Sequence, residues 1–418
     1  MINNPWYVFH GKRVLLLQGP VGPFFRHLSR LLEGVGARVN KVNFNGGDCL
    51  FYPQRALLWR GALHDWPEYF SLLLCNLKID IVVLFGDCRP MHCMAREIAT
   101  RSGVRVFAFE EGYVRPNFIT FEQFGVNGYS QVIRKPSFVK GLPLTPALPE
   151  EEVGRTFWWA ALWAVLYYLA AAFMRPLFRH YRHHRPLRLT QGWYWLRSGW
   201  RKMLYGYKER GVLRLLTGGL SKKFFLVPLQ IQCDAQVYQH SDFRSVIRFL
   251  TEIIASFADH APAHTTLVIK HHPLDRGYHD YNRLIRQVAQ ELRVTGRVLY
   301  IHDQHLPTLF EHMSGAVVIN STVGLSALSH GAPVKTCGDA IYDIEGMTVQ
   351  GSLEDFWNQA PDFRMDLDMF ERFRAYLIEQ TQINGNFYRG GIKAGPCASI
   401  TASMRQPQPE YLPWTPVP

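Results

Sequence analysis

The sequence predicts two doubly wound α/β domains, each built on a parallel sheet, with an apolar and basic segment between them. Three observations carry this reading. Short apolar runs alternate with amphipathic stretches over the first 130 residues, the alternation stops at a Pro-rich stretch from Pro136 to Pro149, and it resumes at Phe224. Such a βαβα rhythm builds parallel sheets covered by helices. The 418 residues exceed what one hydrophobic core usually holds, in agreement with two domains. With 47% apolar and 19% charged residues the chain is globular, and intrinsic disorder is excluded.

The elements follow in order. Arg13–Gln18 (RVLLLQ) reads as a buried strand before a Gly-Pro turn, Phe24–Leu32 as a helix and Val39–Phe44 as a second strand. Tyr69–Leu77 has helical spacing, Ile79–Phe85 (IDIVVLF) is a strand, Met91–Thr100 is helical and Val104–Phe109 (VRVFAF) is a strand. Pro136–Pro149 reads as a loop. In the second half, the expected strands are Phe224–Gln230, Thr266–Lys270, Val298–Ile301 and Ala316–Ile319. The expected helices are Phe243–Phe257, Tyr281–Leu292 and Leu306–Met313, with one more starting near Ser321 and ending at Gly331.

The formal charge is +12, and its distribution says more than its sum. Ten Arg or Lys and no Asp or Glu fall between Val153 and Lys208. A basic chain binds nucleic acid or an anionic membrane. Here the charge adjoins a segment rich in Trp and Tyr and lacks a nucleic-acid recognition motif, so the membrane is expected and nucleic acid is not. The seven cysteines are odd in number and show no C-x-x-C pair, which points to reduced thiols rather than disulfides or zinc. The N-terminal stretch MINNPWYVFHGKR has no long apolar run, so no secretion signal is expected.

Ligands of open α/β sheets bind outside the carboxyl ends of the strands, and four strand ends here are polar. VRVFAF leads into Glu110-Glu111-Gly112, where burial would raise a carboxyl pKa and suit it to proton transfer. An isolated Glu-Glu-Gly is more often a solvated turn. After FFLVPLQ comes Asp234, either a nucleophile or the N-cap of the next helix. TLVIK ends in Lys270-His271-His272-Pro273, a cationic turn able to hold phosphate or, taken alone, an ordinary basic surface turn. AVVI ends in Asn320-Ser321-Thr322, an anion site at a helix start or a plain hydroxyl cap. Taken together, a carboxylate from the first domain and a carboxylate, cations and hydroxyls from the second fit a GT-B glycosyltransferase. Its nucleotide-sugar phosphate would sit on the second domain and its acceptor against the first.

Five stretches carry a resemblance: LLLQGPVGPFF, FAFEEGYVRPNFIT, VPLQIQCDAQV, KHHPLD and INSTVGLSALSHGAPVKTCGDAIYD. The sequence resembles capsule polysaccharide synthesis proteins of the KpsS type, which are β-Kdo transferases (Kdo is 3-deoxy-D-manno-oct-2-ulosonic acid). The match runs from about Arg13 to Tyr388. It implies transfer of Kdo from CMP-β-Kdo to a phosphatidylglycerol-type lipid, with retention of configuration, at the cytoplasmic face of the bacterial inner membrane. This step starts the poly-Kdo linker of a capsule polysaccharide. Retention by double displacement needs a nucleophile and an acid/base. The resemblance assigns the nucleophile to Asp234 and the base to Glu111, with Glu110 as the alternative. Lys270 and His272 would hold the CMP phosphate, helped by Asn320, Ser321 and Thr322, while Gly19 and Arg115 would bind substrate. CMP is a good leaving group, so no metal and no cofactor besides the donor is expected. Other capsule synthesis or export proteins are possible partners. The rival readings are a CMP-sialic acid transferase, a chain-extending Kdo transferase and a non-catalytic capsule assembly or export adaptor. On this reading 1–150 is the acceptor domain, 151–215 a membrane-associating helical segment, 216–380 the CMP-sugar domain and 381–418 a tail.

FWWAALWAVLYYLAAAFM, Phe157–Met174, has no charged residue. At about 1.5 Å per residue it reaches only the lower limit for a spanning helix. Crossing would also put the two domains on opposite sides of a membrane. Trp158, Trp159, Leu162, Trp163, Leu166, Leu169 and Phe173 share one face, with Ala and Tyr on the other. The expectation is a monotopic helix lying on an anionic surface, with Arg175, Arg179, Arg182, Arg185 and Arg188 beside it; a core helix is the alternative.

Overall fold

The computed structural model describes residues 4–144, 150–183 and 190–412. The basic residues Arg185 and Arg188 and the end of the Pro-rich stretch lie outside the described residues. Among the described residues the strands are β1 (Arg13–Leu16), β2 (Arg38–Asn43), β3 (Ala56–Leu58), β4 (Ile81–Phe85), β5 (Arg105–Glu111), β6 (Phe118–Gln123), β7 (Phe224–Pro228), β8 (Thr266–Lys270), β9 (Val298–Ile301), β10 (Gly315–Val318), β11 (Val334–Thr336) and β12 (Gln382–Asn384). The chain forms two compact units. The first takes Met1–Val132, Thr145–Gln191 and Arg374–Pro418, and the second takes Ile133–Leu144 and Gly192–Phe373.

In the first unit the sheet order is β12-β6-β5-β4-β1-β2-β3. Strands β3-β2-β1-β4-β5 are parallel and follow the doubly wound order, with the winding reversing between β1 and β4. The rhythm in the sequence predicts this part. It does not predict β6 and β12, which add antiparallel to the edge at β5, so the sheet is mixed. FITFEQ follows β5 after a short turn and lacks the intervening helix that marks a parallel crossover. Alternate residues of β1 face opposite layers. Val14 and Leu16 pack with Phe24, Leu28 and Phe109, while Leu15 and Leu17 pack with Trp66, Phe70 and Ala99. The C-terminal stretch belongs to the first layer through Phe387, Ile400 and Met404. It is therefore part of this core, where the sequence boundaries set it apart as a tail.

The second unit has the all-parallel order β11-β10-β7-β8-β9. Its inner strands are buried along their length and apolar but for Thr266 and Lys270 at the two ends of β8, as a sheet covered on both faces requires. Phe225, Phe257, Phe356 and Trp357 pack edge-to-face or tilted at its centre. The Pro-rich stretch read as a loop begins instead with a short helix, Pro136–Gly141, because a proline at a first helical position needs no amide hydrogen there.

The apolar segment is a helix, Phe157–Phe173, in the first unit. No helix among the described residues is long and apolar enough to cross a membrane. One face lies on the short helix Gly46–Phe51, and two glycines make that approach possible. A Cβ on Gly46 would sit 2.2 Å from the carbonyl oxygen of Ala170, and one on Gly47 would sit 2.4 Å from the Tyr167 ring. Tyr167 and Ala171 are buried in this contact, whereas Trp158 (78%) and Phe173 (88%) are exposed. The division into a packed Ala/Tyr face and an exposed Trp/Leu face follows the sequence, with one correction. Trp163 packs inward: its ring meets Phe51, its Nε1 donates to the carbonyl of Tyr388 at 3.0 Å, and Gly22 gives it room.

Gly46→Ala is expected to lower unfolding stability by about 2 kcal/mol or more, the cost of forcing backbone apart in a packed contact. Gly206→Ala, at an exposed position of the helix Gln191–Lys208 with open space around it, is expected to raise stability by about 0.5–1 kcal/mol. Denaturant titration of both variants checks the pair.

Candidate active site

The carboxyl end of β5 carries Glu110 and Glu111. Gly112 follows because the chain turns hard against itself there: a Cβ would stand 2.0 Å from the carbonyl oxygen of Phe118. The two carboxylates differ. Glu110 accepts from the Glu111 amide at 3.0 Å, and burial, with Glu111 and Asp87 nearby, raises its pKa to about 7 against the pull of Arg89. Glu111 accepts the phenol of Tyr388 at 2.7 Å. Burial and this carboxylate hold the Tyr388 phenol well above its ordinary range, so it remains a donor. Gly19 lies against the Phe25 ring, where a Cβ would come within 2.9 Å. Arg115 is exposed and its Nε donates to the carbonyl of Gly112 at 3.3 Å.

Beside these lies a buried network not anticipated from the sequence. Gln18, at the end of β1, accepts from Arg89 Nη1 at 2.7 Å and from the Tyr181 phenol at 2.8 Å, and its amide donates to Tyr167 at 2.8 Å. Tyr167 also accepts from Asn45 and donates to Asp48. Gln18 is a polar residue closing an apolar strand, so the strand-end rule that found the other sites also applies to it.

In the second unit three adjacent strands bring their carboxyl ends together. After β7, Asp234 caps the helix Ala235–Gln239, accepting from the Gln236 amide at 3.0 Å. Its second oxygen accepts from Gln230 Nε2 at 3.3 Å, and the same nitrogen donates to Asn320 Oδ1 at 3.1 Å. Gln230 therefore ties Asp234, after β7, to Asn320, after β10. Burial raises the Asp234 pKa while these two donors oppose the rise. Gln230, like Gln18, ends the first strand of its unit and is missed for the same reason.

Lys270 closes β8. Burial lowers its pKa, with Asp303 and Glu209 opposing. His271 is buried, its Nδ1 2.6 Å from the Tyr300 hydroxyl, and burial lowers its pKa to about 4; it is a neutral structural ring. His272 is half-buried, and its Nδ1 accepts the Leu274 amide at 3.2 Å. Ser321 caps the helix Thr322–Leu328 by accepting the Val323 amide at 3.2 Å, and Tyr342 donates to its carbonyl. A Cβ on Gly324 would collide with that Tyr342 hydroxyl at 2.2 Å. Among the described residues, no group of three or more His, Cys, Asp or Glu could hold a metal ion.

The first unit carries Glu110, Glu111, Gly19 and Arg115, and the second carries Asp234, Lys270, His272, Asn320, Ser321 and Thr322. The model for the family described as capsule polysaccharide biosynthesis protein matches residues 80–388. The chain is 41% identical over 386 residues to the Escherichia coli capsule polysaccharide export protein KpsS, covering 90% of this chain and 97% of that one. It is 41% identical over 390 residues to the capsule polysaccharide modification protein LipB of Neisseria meningitidis serogroup A, covering 90% and 92%. Among solved structures, the β-Kdo 2,7-transferase KpsC of Thermosulfurimonas dismutans aligns with a TM-score of 0.47 at 12% identity, covering 94% of this chain and 99% of that one.

The raised Glu110 pKa has a thermodynamic consequence. Between 4.5 and about 7 the folded protein keeps a proton that the unfolded chain has released. Unfolding free energy is therefore expected to fall as pH rises through this window, by up to about 3 kcal/mol. Glu110→Gln should flatten that slope, and denaturant titrations at pH 5 and pH 8 check it.

Proposed function

The chain belongs to the capsule polysaccharide biosynthesis protein family, and on that premise we propose that it is a retaining β-Kdo transferase of the GT-B type. The proposed donor is CMP-β-Kdo and the proposed acceptor a phosphatidylglycerol-type lipid. The supporting observation is the second unit's cluster of strand ends. A carboxylate, a cationic turn and a hydroxyl-capped helix lie on adjacent strands, with Gln230 bridging Asp234 and Asn320.

In this mechanism Asp234 attacks the anomeric carbon of Kdo, and the bond to the CMP phosphate oxygen breaks. Lys270 and His272 offset the charge on departing CMP, with Asn320, Ser321 and Thr322 binding its phosphate. The lipid hydroxyl then gives its proton to a base and attacks the same carbon, releasing the Asp234 carboxylate. Two inversions give retention. The base assigned here is Glu110 rather than Glu111, the residue favoured from the sequence alone. A pKa of about 7 suits a group that must accept a proton at neutral pH, whereas Glu111 already accepts the Tyr388 phenol. The exposed Trp158, Trp159, Leu162 and Phe173 of the helix Phe157–Phe173 would rest on the anionic surface of the inner membrane, on its cytoplasmic side.

The test is incubation with CMP-Kdo generated in situ and a lysophosphatidylglycerol analogue, read by product mass, anomeric configuration and CMP release. The expected product has gained Kdo in β linkage. Asp234→Ala, Glu110→Gln and His272→Ala should each lose about 10²-fold or more in rate while remaining folded. Glu110→Gln should also accumulate a Kdo adduct visible by intact-protein mass spectrometry. A normal rate in Asp234→Ala would remove the nucleophile assignment. Turnover of CMP-sialic acid but not CMP-Kdo would replace the donor.

A further inference from the structure

The helix Gln191–Lys208 has two contrasting faces. Its inner face is fully engaged within the second unit. Tyr194 stacks on Tyr278 at 4.7 Å, and its carbonyl sits where a Cβ on Gly277 would be 2.2 Å away. The Arg201 guanidinium donates to the carbonyls of Arg276 and His279 at 2.8 and 3.2 Å and pairs with Asp280 at 3.4 Å. Tyr205 stacks on His302 at 3.5 Å, nearly parallel, and Arg276 Nε donates to the carbonyl of Ser198 at 3.1 Å.

Its outer face is apolar and exposed. Trp193, Leu196, Trp200, Met203 and Tyr207 are between 62% and 77% exposed. Their spacing of three and four residues puts them within about 80° of the circumference at about 100° per residue. Gly192, Gly199 and Gly206 run beside this stripe with nothing within 4 Å of a built Cβ. A planar surface could approach the backbone closely there. Arg197, Lys202 and Lys208 supply charge on the same helix, and Arg210 lies over the Tyr207 ring at 4.5 Å. The helix carries no Asp or Glu.

We propose that this outer face is a lipid-docking surface of the second unit, lying in the interface of an anionic bilayer. Charge decides the occupant. A second copy packed face to face would bring like charges together with no carboxylate on the helix to offset them, whereas anionic headgroups complement them. Exposed Trp and Tyr on a basic amphipathic helix suit the headgroup region, where one edge of the ring is apolar and the other wet. The inner face places this surface directly behind the donor-phosphate turn. Ser198 and Arg201 hold the loop that follows Lys270-His271-His272, and Glu209, just past the helix, binds the His302 ring at 2.6 Å. A bilayer against the outer face therefore fixes the element that carries Lys270 and His272. The inference rests on the lipid-surface part of the proposed function and not on its donor or its chemistry.

Sedimentation with vesicles of phosphatidylglycerol and phosphatidylcholine, and with phosphatidylcholine alone, tests it on the full chain. Trp193→Ser/Trp200→Ser/Met203→Ser changes only exposed side chains and should fold. It is expected to weaken binding to anionic vesicles by about tenfold or more, with circular dichroism and oligomeric state unchanged. CMP release with a soluble, short-chain acceptor should also be unchanged. Wild-type binding should fall with salt and on neutral vesicles. Full vesicle binding by the triple variant would overturn the proposal. So would a lipid-free wild-type dimer, seen by analytical ultracentrifugation, that the variant dissolves, because the face would then belong to a second copy. A wild-type protein that binds vesicles through this face but releases no CMP would overturn the transferase reading and leave the docking surface standing.

Discussion

The phenol of Tyr167 is the fixed point of the first unit. It accepts from Gln18 and Asn45 and donates to Asp48, all buried, and so joins an otherwise apolar helix to the ends of β1 and β2. A buried hydroxyl without partners would cost several kcal/mol, and here each hydrogen-bonding direction is used. The constraint propagates outward. Gly46 and Gly47 must lack side chains so that the helix can reach the network. Trp163, four residues before Tyr167, then meets the carbonyl of Tyr388, whose own phenol holds Glu111. One side of the helix is thereby committed to protein, which leaves Trp158, Leu162 and Phe173 facing away from it.

Both units use the same device at the end of their first strand. Gln18 and Gln230 each close an apolar strand with a buried amide that can donate and accept at once. In the first unit the amide orders Arg89 and the tyrosines beside Glu110. In the second it sets Asp234 against Asn320. A carboxylate at either position would bring a charge into a buried site, and an apolar residue would leave its neighbours' polar groups unpaired. The candidate chemistry thus rests on neutral, bidirectional hydrogen bonding beneath the charged groups.

Much of the frame was legible in order. The parallel strands and their helices announce themselves because fully buried strands are continuous apolar runs separated by amphipathic stretches. β8 and β9 match their sequence ranges residue for residue. Strands β6 and β12 were not legible. β6 follows β5 through a tight turn, and β12 arrives from more than 250 residues away to pair with it; local patterning carries no record of so distant a partner. The helix Gln191–Lys208 lies within 151–215, read from the sequence as helical and membrane-associating, but its own bounds and its stripe were not picked out. Its heptad-like stripe is plain once the helix is known, yet charge and glycine dilute it below the apolar segment beside it.

By itself the sequence determined the two α/β frames, the polar residues at their strand ends and the two-faced character of Phe157–Phe173. Periodicity and strand-end position are local properties that survive without coordinates. Only the tertiary structure decided what each polar residue meets. It separated Glu110, half-buried with a raised pKa, from its neighbour Glu111, bound by Tyr388. It turned Trp163 inward and left a second apolar stripe exposed on the other unit. Such distinctions depend on burial and on partners far apart in the chain, and no window of adjacent residues contains them.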